Sequence, residues 1–319
     1  MRRELFVAFF VAGLLLLAGS VHASDFPNKP ITLIVPFQAG GATDVVIRPL
    51  AEAVKKHLGQ PVIVENRPGG GGAVGLGSIV GKKPDGYLLC AVSPGVHRNS
   101  YINKLSFDTV NDVTPIIRVA GYLYGIVVRS DSSFKTLKDL IDHAKANPGS
   151  LKYMASGVGT GGHIAMEQLA YHAGIKLLHV PSKGDAESAT ALLGGHVDVN
   201  SSPSGWIPLV DAGKLRLLAT YGQKRNERFP NLPTVLEQGY KVVEESPIGI
   251  LGPKGMPPEI VKALHDAFRK ALSDPLYLSA MKKFAMPVLY QSSEEYAASW
   301  RKSYVDEGEL VKKYIKGGN

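Results

Sequence analysis

Hydrophobic and polar positions alternate along this chain in two rhythms, and their order predicts the fold class. Short runs of β-branched and aliphatic residues, bounded by Gly or Pro, predict strands at 31–36, 61–65, 87–92, 113–119 and 125–129. Apolar residues at helical spacing over 45–58, closed by Gly59, predict a helix, and a second helical stretch runs to Val80. Pro49 inside the first helix removes one backbone bond and predicts a local kink. This β-α-β-α-β order specifies a parallel sheet with helices on its faces. Thr136 and Asp139 then form a capping-box start, and Asn147-Pro148-Gly149 a stop. The alternation restarts with strands at 151–155, 177–180, 196–200 and 214–221 and helices at 163–173 and 185–193. An apolar run at 246–252 precedes a helix at 259–272 and a last one that starts at Ser292. Two such series, the second inserted before a helical return, predict two α/β lobes, 24–125 plus 249–319 and 126–248. Each would hold a central, mostly parallel sheet flanked by helices, with the chain crossing near 124–128 and again near 246–251.

Three loops follow a strand and precede a helix, and ligands of open α/β sheets sit outside the carboxyl ends of the strands. In the stretch ITLIVPFQAGGATD the strand ends at Pro36, a turn follows through Phe37, Gln38, Ala39, Gly40 and Gly41, and Thr43 and Asp44 offer helix N-cap chemistry. Free amides at Gly40, Gly41 and Ala42, together with the positive end of the helix dipole, make this turn a cradle for a small anion. Asp44 is expected to orient the helix instead of touching that anion, because two bare negative charges in contact repel. The loop SGVGTGG supplies Ser156, Gly157, Gly159 and Thr160, with His163 just beyond. The third loop carries Ser182 and Lys183, and Ser93 follows the strand at 87–92. The glycines also admit the plainer reading that they only make tight turns. Asp198 lies in an apolar strand, where an unpaired carboxylate is costly, so it is either a loop-orienting residue or a pocket acceptor. Trp206 admits either stacking on a ligand or core packing.

Catalytic signatures are missing: the chain has no G-x-S-x-G, no Walker A and no H-E-x-x-H. Gly70-x-Gly72-x-x-Gly75 has the spacing of a dinucleotide fingerprint. Asn66-Arg67-Pro68 separates it from its strand, however, and Gly95 stands where an acidic residue is needed. Neither a cofactor nor a metal is therefore expected. Arg2 and Arg3, the apolar stretch 5–18 and Val21-His22-Ala23 predict an export signal cleaved after Ala23, the alternative being a retained anchor. The lone Cys90, inside a buried strand, excludes a disulfide within the chain. The net charge of +8 is spread along the sequence, which favours solubility and mild attraction of anions and excludes a nucleic-acid track.

Several segments in order resemble the Bug-type solute receptors of tripartite tricarboxylate transporters. They are FPNKPITLIVPFQAGGATD, LGQPVIVENRPGGGGAVG, PDGYLL, SGVGTGGHIAMEQL, HVPSKGDAESATALLGGHVD, GKLRLLAT, LPTVLEQGY and GPKGMPPEIVKAL, and they cover nearly the whole mature chain. The resemblance implies a type II, Venus-flytrap periplasmic binding protein that is not an enzyme. It would be a monomer with a ligand cleft and a hinge, delivering a small organic carboxylate to a two-subunit membrane permease. It further implies that the ligand carboxylate rests on 37–44 and 156–160, and that Asp198 is the acidic position of the second lobe. The chain departs from the family pattern at Ser182, where a tyrosine is common, at Pro247-Ile248-Gly249, which replaces a Trp-x-Gly, and at Pro49. The first two changes would alter the size and polarity of the pocket. A ligand-presenting sensor, or a secreted hydrolase using the same cleft, is the competing expectation.

Overall fold

The computed structural model describes residues 26–315; the expected signal segment lies outside the described residues. The first part of the chain forms β1 (Ile31–Val35), α1 (Ala42–Leu58), β2 (Val62–Asn66), α2 (Ala73–Gly77), β3 (Leu88–Val92), α3 (Gly95–Ile102) and β4 (Val113–Gly121). The second part forms β5 (Tyr124–Arg129), α4 (Leu137–Ala146), β6 (Lys152–Met154), α5 (Gly161–Ala173), β7 (Leu178–His179), α6 (Asp185–Leu193), β8 (Val199–Pro203), α7 (Ile207–Asp211) and β9 (Leu215–Thr220). The chain then returns through β10 (Pro247–Pro253), α8 (Pro258–Ala271), α9 (Pro275–Lys283) and α10 (Ser293–Tyr314).

These strands make two five-stranded sheets, ordered β2-β1-β3-β10-β4 and β7-β6-β8-β5-β9. Both are mixed: β10 runs antiparallel to β3 and β4, and β5 antiparallel to β8 and β9, while the other pairings are parallel. The molecule is thus a two-lobed α/β fold in which both lobes repeat one strand order, each accepting one strand of reversed direction. The chain changes sheet between Gly121 and Tyr124 and again between Thr220 and Pro247. Ile31, Leu33 and Val35 on one face of β1 are fully buried in one core with Val46, Ile47 and Leu50 of α1, and Ile34 on the other face is buried with Leu76 and Cys90, as expected for a strand covered on both faces.

Local signals hold at several helix ends. Thr136 and Ser292 each accept the amide three residues on, and Asp139 and Glu295 return the bond, completing both capping boxes. Gly59 takes the left-handed conformation at the end of α1, with φ 68°. Pro49 does not divide that helix, which runs as one segment of 17 residues. The strand expected at 196–200 is displaced to Val199–Pro203. Its polar residues 200–202 are buried, and Ser201 Oγ donates to the Gly162 carbonyl at 2.8 Å, so tertiary partners override a composition that reads as loop.

Candidate functional site

Strand order locates the cleft. β1 lies between β2 and β3 in one sheet and β6 between β7 and β8 in the other, so helices leave each in opposite directions and a crevice opens at the carboxyl ends of β1 and β3 in one lobe and of β6 and β8 in the other. The two crevices face each other across a cavity of about 10 Å³. Phe37 and Thr43 line it after β1, Ser93 after β3, Ser156 and Thr160 after β6, and Pro203 at the end of β8. Tyr122 and Tyr124 line it from the first crossing, and Asp185 from the start of α6. Such a volume holds about one water, so a molecule of several carbon atoms fits only when the lobes part. A larger cavity of about 740 Å³ lies beside the crossings, lined among others by Lys224, Arg228, Glu245 and Lys282; no strand end of a parallel ladder opens into it.

The first loop is held from behind. Gly41, not Thr43 or Asp44, is the N-cap of α1, and Gly40 takes φ 78°, a conformation that favours glycine. Asp44, in the first helical turn, accepts the Gly40 amide at 2.9 Å, Asn66 Nδ2 at 2.9 Å and Arg48 Nε at 3.0 Å. Burial disfavours its charge, but these bonds outweigh that cost and hold its pKa below the usual carboxylate value. Asp44 therefore orients the loop, and Asn66 Nδ2 adds a bond to the Phe37 carbonyl at 3.0 Å. Thr43 Oγ1 meets Tyr122 Oη at 2.6 Å inside the cleft.

The second loop follows the same logic with different atoms. Thr160 Oγ1 donates to the Gly157 carbonyl at 2.8 Å, and the Gly159 amide donates to His163 Nδ1 at 3.2 Å. Burial first, then neighbouring His179, pushes the His163 pKa down to about 3, so the ring stays neutral and keeps that acceptor. His163 thus positions the loop from behind it. Gly161 and Gly162 are required by packing: a Cβ on Gly161 would come within 2.5 Å of the Tyr124 ring and one on Gly162 within 1.9 Å of the Ser201 carbonyl oxygen.

Three sequence expectations need correction. Asp198 is exposed at the amino end of β8, where its carboxylate accepts the Lys152 amide at 2.8 Å; the cleft lies at the other end of that strand. Lys183 is exposed and its amide donates to Glu187 Oε2, while Ser182 Oγ donates to the Ala155 carbonyl. Neither of these two lines the cavity. Gln38 and Ala39 sit at the rim, with Gln38 Oε1 accepting the Glu187 amide of the opposite lobe at 3.3 Å. Trp206 is core, its Nε1 donating to the Ser202 carbonyl at 3.1 Å.

Two groups were not foreseen. Asp185 is 7% exposed; its Oδ2 accepts the Ala42 amide of the opposite lobe at 2.9 Å and its Oδ1 accepts Ser156 Oγ–H. Burial raises its pKa against these two bonds. The only hint in the sequence was its place as first residue of a helix after a strand-end loop. Arg98, 1% exposed on α3, bonds Glu307 Oε2 at 2.5 Å, Glu244 Oε2 at 3.0 Å and the Gly159 carbonyl at 3.4 Å. One guanidinium therefore joins the last helix, the return crossing and the second-lobe loop. Burial opposes its charge, but the two glutamates raise its pKa further. Its partners stand 146 and 209 residues away, which leaves no local signal.

Residues 46–315 match the family model described as "Tripartite tricarboxylate transporter family receptor". The chain belongs to this receptor family. A UPF0065 protein of Cupriavidus necator is 44% identical over 301 residues, covering 94% of this chain and 92% of the relative. The solved periplasmic binding protein BugD is 31% identical with a TM-score of 0.87, over 91% of this chain and 98% of BugD. R. palustris Rpa4515 with adipate is 28% identical with a TM-score of 0.85, over 90% and 98%. Tripartite tricarboxylate receptors are solute-binding proteins, and in this receptor, among the described residues, no group of three or more metal-ligating side chains occurs.

Proposed function

We propose that this chain is an extracytoplasmic receptor that captures a small organic carboxylate, mono- or dicarboxylate, by closing its lobes around it, without chemical turnover. The observation that carries this reading is the convergence of strand ends and helix starts from both lobes on one cavity, whose wall carries hydroxyls of Thr43, Ser93, Ser156 and Thr160. Export after cleavage at Ala23, action as a monomer and delivery to a two-subunit membrane permease complete the reading, supported by family membership and by the adipate named with a relative of the same fold.

Magnitudes require that many groups act together. One helix terminus contributes about 0.3 to 1 kcal/mol, or ~2 when partly buried, whereas micromolar affinity needs about 8 kcal/mol. Closure supplies the rest by bringing several amides to one desolvated carboxylate. A thermal-shift screen of the purified protein tests this, since a native-state ligand at 100-fold its Kd adds about 2.7 kcal/mol of stability. Organic acids should raise the melting temperature; a rise with neutral sugars or metal cations and none with acids overturns the reading.

A further inference from the structure

Asp185 sits where a carboxylate receptor would be expected to keep its ligand's own charge. Among the described residues its carboxylate is the only charged side chain at the wall of the cavity, and no Lys, Arg or His lines it. Its two oxygens hold the two groups best suited to an incoming anion: the Ala42 amide at the start of α1 and the Ser156 hydroxyl after β6. The Ser156 bond lies within one lobe, but the Ala42 bond crosses between lobes. Parting the lobes must break the second and spare the first.

We propose that Asp185 determines the specificity of the cleft and selects amino carboxylates, ligands that carry a cationic N–H beside their carboxylate. This deepens the carboxylate-receptor reading and rests on it. When the lobes reclose over a ligand whose carboxylate takes the Ala42 amide, Asp185 Oδ2 loses its donor in a space from which water is excluded. A buried carboxylate without that partner is costly, and a second carboxylate beside it raises the cost further. The ligand must then bring a donor, and a positive one removes both penalties at once.

Charge balance leads to the same ligand class. The starts of α1, α3, α5 and α6 lie at the loops around the cavity, and each terminus carries roughly half a positive charge. Asp185 already offsets about half of that sum. A plain dicarboxylate adds two more negative charges with no cationic side chain to meet them, whereas a zwitterion adds none. Gly41 leaves room for this arrangement, since a side chain there would come within 3.4 Å of Asp185 Oδ2.

Isothermal titration calorimetry on the purified chain tests the proposal with ligands of matched skeleton: propionate, alanine and β-alanine; succinate and aspartate; glutarate, glutamate and 4-aminobutyrate. The amino member of at least one set should bind about tenfold or more tightly than its plain counterpart. Asp185→Asn should abolish that preference and improve the plain acids, with folding checked by circular dichroism. If plain acids bind the unsubstituted protein as well as or better than every amino counterpart, the proposal fails while the carboxylate reading stands. It fails in the same way if plain acids tighten strongly from about pH 8 to about pH 6, because Asp185 would then be accepting a proton in place of a ligand cation. Binding of simple amines or sugars, with no carboxylate of either kind bound, removes the carboxylate reading itself. Should Asp185→Asn not fold, the ranking on the unsubstituted protein decides alone.

Discussion

Asp44 and Arg98 show how differently two buried charges can serve one cleft. Asp44 collects three donors from its own loop and its neighbours, so its pKa is lower in the folded chain than the unfolded value near 3.9. Ionised Asp44 therefore stabilises the fold at pH above that value, and this contribution disappears as pH falls through its folded pKa. Asp44→Asn should flatten the acid limb of a denaturation series below about pH 5, leaving neutral-pH binding weakened by disorder of the Gly40 turn. Arg98 instead binds two glutamates in a nearly dry site. Arg98→Met leaves Glu244 and Glu307 without their cation and should lower stability by about 3 to 5 kcal/mol, seen as a drop in the urea midpoint. An unchanged midpoint would show that water reaches the pair once the arginine is gone.

Helix starts are the elements on which the site depends, and they were readable to different degrees. The capping boxes of α4 and α10 were legible because every atom of the device lies within four residues. Ser292→Ala should lower stability by about 0.5 to 2 kcal/mol, measured by thermal melting, with no effect on ligand affinity. The loops after β1 and β6 were legible as strand-to-helix turns rich in glycine. Which glycine does what was not legible, since Gly162 is required by the Ser201 carbonyl of a strand 39 residues later. The helix α3, reading GVHRNSYI, went unseen because it has no capping side chain and no apolar stripe. Its burial among Trp300, Glu307 and Gly159 comes from packing that local pattern does not encode.

At the scale of the whole molecule, the proposed function turns on closure. Bonds from Ala42 to Asp185, from Asn99 Nδ2 to the Val158 carbonyl at 3.2 Å and from Arg98 to Gly159 all join one lobe to the other. Gly71, at φ 57°, belongs to the glycine-rich loop that carries a dinucleotide-like spacing, and a Cβ there would come within 2.5 Å of Val158 O. Its tertiary role is thus the close approach of two lobes, not a phosphate. Gly71→Ala should hold the lobes apart: small-angle scattering would show a larger radius of gyration at saturating ligand, while each lobe's circular dichroism stays unchanged. Equal radii would mean that the loop yields and the lobes still meet.

The amino-acid sequence by itself determined the two βα series, the helix caps that close locally and the strand-to-helix turn at 37–44, because periodicity and capping act over a few residues. Only the tertiary structure decided that Asp198 faces away from the cleft and Asp185 into it, and that Arg98 finds its acids on the return crossing and the last helix. Which end of a strand meets the cleft, and which charges are paired when two lobes come together, depends on contacts between residues far apart in the chain, and those are set by packing and not by pattern.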